Sequence, residues 1–178
     1  MALPQEDFGP CSTCAVRSTV RLSYNARSFC DACFLRMIFR RIAKDIPSGS
    51  GPIRVRDDGS AVSRVLVLSL RRMLGTKRQV EVVESDGKDV CLPLCLEDGL
   101  DASLCEFIGT ADGCREGMLV FASVTHEDAA HLGRIVGVDC RQGLARRRSS
   151  HSPLLSAILG AHPEVRFSMR RSFQFLQA

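Results

Sequence analysis

Apolar residues recur at four-residue steps in the segment 32–46, where Phe34, Ile38 and Ile42 form one stripe with Met37 and Ile46 beside it. That spacing predicts an amphipathic helix packed through the stripe. Arg36, Arg40, Arg41 and Lys44 fall largely off it, giving either a solvated face or a basic face suited to phosphates. The run Pro47-Ser48-Gly49-Ser50-Gly51-Pro52 then ends the helix and reads as a flexible linker. Beyond it the period changes. Residues 53–56 read as a short strand, 57–63 as a turn, and 61–74 as a helix burying Val65, Leu66, Leu68, Leu70 and Leu74. The β-branched run 79–84, with Val80, Val82 and Val83, predicts a second strand. Residues 117–122 predict a third, followed by a helix over 125–135. Short apolar strands alternating with helices place this part in the α/β class, with a parallel sheet and helices on both faces. Ligands of such sheets bind outside the carboxyl ends of the strands, which singles out the turn 57–63 and the segment 123–126.

Four cysteines set the N-terminal part apart. Cys11-Ser12-Thr13-Cys14 and Cys30-Asp31-Ala32-Cys33 are two C-x-x-C pairs with 15 residues between them. This is the spacing of a four-thiolate zinc site, in which each turn brings two sulfurs to one ion and the intervening chain returns the second pair. Disulfides or ordinary buried thiols are the alternatives. Residues 1–7 include Glu6 and Asp7 and no apolar stretch, so no secretory signal is expected and a reducing compartment disfavours disulfides. The expected organisation is a zinc ribbon with its basic helix over 1–46, a linker over 47–52, and an α/β domain over 53–178.

At 178 residues and 45% apolar content the chain can bury a substantial core. No apolar run approaches the length of a membrane span. The formal charge is +4, distributed unevenly. Glu84, Asp86, Asp89, Glu97, Asp98, Asp101, Glu106, Asp112 and Glu116 outnumber Lys88 and Arg115 in the middle of the chain. From residue 141 onward Arg141, Arg146, Arg147, Arg148, Arg166, Arg170 and Arg171 face the single acid Glu164. Such asymmetry suits a polyanion-binding face, and equally a solvated arginine-rich loop.

The knuckle Cys11, Cys14 and Phe29-Cys30-Asp31-Ala32-Cys33-Phe34, then a basic helix and the strand–turn–helix 53–74, resembles the cytoplasmic tRNA 2-thiolation protein 2 family. The likeness continues through Val80-Glu81-Val82-Val83-Glu84-Ser85-Asp86-Gly87 and returns at Leu155-Ser156-Ala157-Ile158-Leu159 and His162-Pro163-Glu164-Val165. This chain is a short, divergent member by that reading. The resemblance implies an N-terminal zinc ribbon followed by a reduced PP-loop (adenine nucleotide alpha-hydrolase-like) domain. It also implies the non-catalytic partner in a cytoplasmic heterodimer that installs sulfur on the wobble uridine of lysine, glutamine and glutamate tRNAs. The implied partners are the catalytic thiolation subunit, tRNA, and a ubiquitin-related carrier delivering the sulfur.

The catalytic members of this group carry Ser-Gly-Gly-x-Asp-Ser after the first strand, where glycines admit ATP phosphates to a helix N-terminus. Here the loop reads Asp57-Asp58-Gly59-Ser60-Ala61-Val62-Ser63, and only Gly59 and Ser63 fit. Asp57 and Asp58 would place negative charge where phosphate sits, so a degenerate nucleotide loop is expected. The tRNA contacts are expected from Arg36, Arg40, Arg41, Lys44, Arg146, Arg147 and Arg148. Cys91, Cys95, Cys105, Cys114 and Cys140 offer either a second metal or iron–sulfur site, starting from Cys91-x-x-x-Cys95, or simple buried fillers. His126, Asp128 and Cys140 could form a catalytic arrangement, but no nucleophile motif surrounds Cys140. No G-x-x-x-x-G-K-[ST] or G-x-G-x-x-G run is present. The competing function class is a stand-alone zinc-ribbon adaptor, which a parallel sheet after residue 52 would disfavour.

Overall fold

A computed structural model of the chain describes residues 8–109 and 117–176. It begins with a small antiparallel pair, β1 (Val20–Arg21) and β2 (Ser28–Phe29), which leads directly into helix α1 (Asp31–Asp45). Phe34, Ile38 and Ile42 are fully buried, so the stripe read from the sequence is the packed face of α1. Ile46 adopts extended backbone and ends the helix just before Pro47. The segment 47–52 is held by one side chain, with Arg78 donating to the carbonyls of Pro47 (2.8 Å) and Gly51 (2.9 Å).

The α/β part follows as β3 (Ile53–Arg56), α2 (Ala61–Leu74), β4 (Val80–Val83), β5 (Val90–Cys91), α3 (Leu96–Phe107) and α4 (His126–Val136). The three strands form one parallel sheet in the order β4-β3-β5. Ile53 and Val55 enter the core, while Arg54 and Arg56 alternate with them and pair with Asp89 and Asp86. The expected strand over 117–122 reduces to a single parallel bridge between Met118 and Cys91. After it the chain turns, with Ala122 donating to the Leu119 carbonyl, and Val120, Phe121 and Val124 plug the core from that turn. The third strand is instead the two-residue β5, too short to read from period. In α2, Leu68 faces outward and Leu74 is half-buried, because Val62, Val65, Leu66 and Leu70 already fill the inward stripe.

Three further helices close the chain: α5 (Arg141–Ser150), α6 (Pro153–Ala161) and, after a 3-10 turn, α7 (Arg166–Leu176). One core cluster joins Cys11, Val20 and Phe29 of the ribbon, Phe34, Ile38 and Ile42 of α1, Val55 of β3, Val65 of α2 and Leu132 of α4. A second joins Leu96, Leu100 and Leu104 of α3 to Leu155 of α6, with Phe167 of α7 against it. Gly133 admits the chain that folds back after α4: a Cβ there would lie 2.6 Å from the Val138 carbonyl and 2.8 Å from the Cys140 sulfur. No helix among the described residues is long and apolar enough to cross a membrane.

Candidate functional site

The four N-terminal cysteines converge. Cys11 and Cys14 sit on a tight turn in which the Cys11 amide donates to the Val16 carbonyl at 2.7 Å and the Ala15 amide returns to Cys11 at 3.0 Å. Ala15 completes this turn in the left-handed region, at φ 60°. Cys30 caps α1 and Cys33 lies in its first turn, where the unpaired helix amides favour negative sulfur. All four sulfurs lie within 4.8 Å of one another, and Cys14 and Cys30 are 3.7 Å apart. A tetrahedral ion with bonds of about 2.3 Å places its sulfurs ~3.8 Å apart. Burial raises the Cys11 thiol, but amides of Cys30, Thr13 and Cys14 outweigh it and bring the group down to about 6. The neighbouring Cys14 sulfur and burial push Cys33 the other way, to about 12. A lone set of four thiolates repels itself, whereas a divalent cation at the centre reconciles them. The donor set fits a thiolate-bound metal, and no disulfide joins the described cysteines.

The turn after β3 is filled by its own side chains. Asp57 accepts from the Gly59 amide at 2.9 Å and the Ser63 hydroxyl at 2.8 Å, which hold its carboxyl below the usual range. Asp58 accepts from the Ser60 amide at 3.0 Å, and Ser60 in turn accepts from the Ser63 amide at 3.1 Å as the cap of α2. Gly59 has φ 72°, a conformation that glycine adopts at little cost. Three amides of this turn, those of Gly59, Ser60 and Ser63, are thus already bound to carboxylate or hydroxyl oxygen.

Behind the loop lies a buried polar centre that the sequence did not disclose. The N-termini of α3 and α4 meet there, with the Leu96 amide donating to the Val124 carbonyl. Cys95 caps α3 and Thr125 caps α4, each in a reciprocal box with the aspartate three residues on, Asp98 and Asp128. Asp98 is the hub. Its Oδ1 lies 2.9 Å from Nε2 of His126 and 3.1 Å from Nε2 of His151, and its Oδ2 accepts from Arg147 at 3.0 Å. Burial would raise this carboxyl, but His126, His151 and Arg147 overcome it and hold it far below the carboxylate range. Burial holds the Cys95 thiol protonated, well above its ordinary value. Cys95, Asp98 and His126 present donor atoms within 4.8 Å of one another, the second such group among the described residues. A cavity of about 500 Å³ opens beside His126 and His151, with Glu97, Glu127 and Arg166 also on its wall.

The basic residues divide into two kinds. Arg36, Arg40 and Lys44 are exposed along one side of α1, one turn apart. Arg41 instead reaches the fully buried Asp128 at 3.1 Å, bonds the Tyr24 hydroxyl at 3.0 Å and packs over Phe167 of α7. Arg147 is likewise internal: besides Asp98 it donates to the Pro93 carbonyl at 2.6 Å, to Asp58 at 2.9 Å and to Ser60 at 3.2 Å. Arg146 is exposed, and Arg148 belongs to the same helix with its side chain outside the described ones. Arg166 and Arg170 pair with Glu97 and Asp45. Cys91, Cys105 and Cys140 join neither group of potential metal ligands, and Cys114 lies outside the described residues. Nor do His126, Asp128 and Cys140 assemble, since His126 faces Asp98, Asp128 faces Arg41 and Tyr24, and Cys140 donates to the Ala129 carbonyl.

No family model and no curated protein sequence matches this chain. Among solved structures it is similar to the U34-tRNA thiolase NcsA from Methanococcus maripaludis with its [4Fe-4S] cluster. The two share 10% identity with a TM-score of 0.68, over 94% of this chain and 87% of the thiolase. The chain therefore has the fold of a PP-loop tRNA thiolase.

Proposed function

We propose that this protein is the non-catalytic partner subunit of a cytoplasmic tRNA-thiolating heterodimer acting on the wobble uridine of lysine, glutamine and glutamate tRNAs. One observation carries the reading: in a chain with the fold of a thiolase, the turn after β3, which we take as the nucleotide loop, is filled by its own Asp57 and Asp58, with Arg147 anchored on Asp58. A fold of this kind with a blocked loop suits a subunit that supports chemistry performed elsewhere. The parallel sheet after residue 52 disfavours the stand-alone ribbon adaptor.

In this role the α/β part docks the catalytic subunit, and Arg36, Arg40 and Lys44 grip the tRNA backbone. Sulfur arrives on a ubiquitin-related carrier as a thiocarboxylate and is transferred by the catalytic partner. Cys11, Cys14, Cys30 and Cys33 hold zinc in a structural site. Zinc suits them better than an iron–sulfur cube, because a cube places each thiolate on a separate iron and spreads the sulfurs further than these lie. Tagged chain isolated from its host should bring down a PP-loop thiolase and tRNA. Deleting the gene should remove 2-thiouridine from digested tRNA as read by mass spectrometry, and full thiolation in its absence would refute the assignment.

A further inference from the structure

Apart from the cysteine knuckle, the richest chemistry in the molecule is the buried centre around Asp98, and no part of the thiolation reading uses it. Its donors are of three kinds. Cys95 is fully buried, the His126 ring is fully buried, and the Asp98 and His151 side chains are 9% and 8% exposed. The imidazoles of His126 and His151 stack with centroids 5.2 Å apart and direct both Nε2 atoms at one carboxylate oxygen. The other His126 nitrogen, Nδ1, is buried with no hydrogen-bond partner. With the ring proton on Nδ1, Nε2 can turn from hydrogen-bonding Asp98 to binding a metal beside it.

The carboxylates of Asp58, Glu97 and Asp98 outnumber the guanidinium groups of Arg147 and Arg166 by one, which offsets the positive ends of the two helices that start here. A divalent ion enters by displacing the Cys95 proton. We propose that Cys95, Asp98 and His126 form a second zinc site, into which His151, 3.1 Å from Asp98 but outside the group of donors within 4.8 Å of one another, swings as fourth donor. One thiolate, one carboxylate and two imidazoles suit zinc, whose tetrahedral sites take all three ligand types. They do not suit an iron–sulfur cluster, which takes mainly thiolates. The adjoining cavity supplies an entry path. Bound there, zinc would tie α3, α4 and the start of α6 together at the mouth of the degenerate loop.

The test counts metal and is independent of any thiolation assay. Full-length protein is stripped under reducing conditions, reloaded with zinc, freed of excess and analysed by plasma mass spectrometry. Two equivalents are expected for the natural chain, one for His126→Gln, one for Cys95→Ala, and one for Cys30→Ser. Cobalt(II) reports the same result by colour: the thiolate charge-transfer band should lose only its single-thiolate component in Cys95→Ala and keep the four-thiolate part. If His126→Gln fails to fold, the Cys95→Ala cobalt spectrum still decides. One equivalent in the natural chain, with an unchanged cobalt spectrum in Cys95→Ala, overturns the proposal.

Discussion

Replacing Arg147 by Met tests whether this arginine serves the fold or the tRNA. Its guanidinium holds Asp58 at 2.9 Å, Asp98 at 3.0 Å and the Pro93 carbonyl at 2.6 Å, and its side chain is only 18% exposed. Methionine keeps most of the volume and removes every one of these donors. Breaking one partner of a buried ion pair costs ~3–5 kcal/mol, because the remaining charge stays uncompensated. Asp58 is 19% exposed and partly recovers water, so the lower end, about 3 kcal/mol, applies. For a chain of this size that is a fall of roughly 6–12 °C in Tm. Arg147→Lys keeps the charge but not the fork, so it should fall between. Arg36→Met, on the exposed side of α1, should stay within about 0.5 kcal/mol. Urea denaturation with far-UV detection reads all three. If Arg147→Met unfolds at the same urea concentration as the natural protein, the network described here does not hold the loop, and Arg147 returns to the set of tRNA contacts.

Cys30→Ser should lose one zinc equivalent and expose the turn 11–14 to protease, because the ion is what joins its sulfurs to α1; a zinc-free turn that stays protected in reducing buffer would contradict this. The natural chain should bind ATP weakly by calorimetry, and Asp57→Ser with Asp58→Gly should strengthen binding by freeing the Gly59 and Ser60 amides; tight binding by the natural chain would show the loop to be competent. Complex with tRNA should weaken with salt at about 0.7–0.9 log units per phosphate contact, and Glu at positions 36, 40 and 44 should flatten the slope by roughly 2–3; an unchanged slope would mean that this face meets only water. In the metal-free protein the Asp98 carboxyl is depressed by His126, His151 and Arg147, so the unfolded chain, titrating near ~3.9, takes up the proton first as pH falls. Its contribution is complete above about pH 5 and is lost progressively below, so the stability gap between natural protein and Asp98→Asn should narrow between pH 5 and 3. A constant gap across that window would rule Asp98 out as the carrier.

What the sequence disclosed was whatever its own neighbours determine. The α1 stripe, the C-x-x-C turns and strands β3 and β4 all follow from residues within one or two turns of each other. The turn after β3 was equally legible as a turn, since Asp57 and Asp58 act on amides next to them. Strand β5 escaped because two residues carry no period, and 117–122 misled because an apolar run reads alike in a strand and in a core-filling turn. The arginines from residue 141 onward looked unopposed because their acids, Asp45, Asp58, Glu97 and Asp98, lie tens of residues away. The Asp98 centre was hidden for the same reason. Only its capping boxes, Cys95 to Asp98 and Thr125 to Asp128, left a local trace, and they give no hint that two helix starts face each other.

The packing of α1 has a consequence for the birth of the protein. Phe34 is covered by the His131 ring at 5.9 Å, and Asp45 is tied to Ser123, so the partners of this early helix belong to residues made much later. A ribosome adding ~5–20 residues per second needs about 5–20 s to travel from the end of α1 to the end of α4. During that interval the knuckle can already close on its metal, while the part of the α1 stripe that α4 covers, at Phe34, stays bare. The nascent chain therefore passes through a metal-loaded stage with a bare greasy stripe, and that stage is where a chaperone would find it.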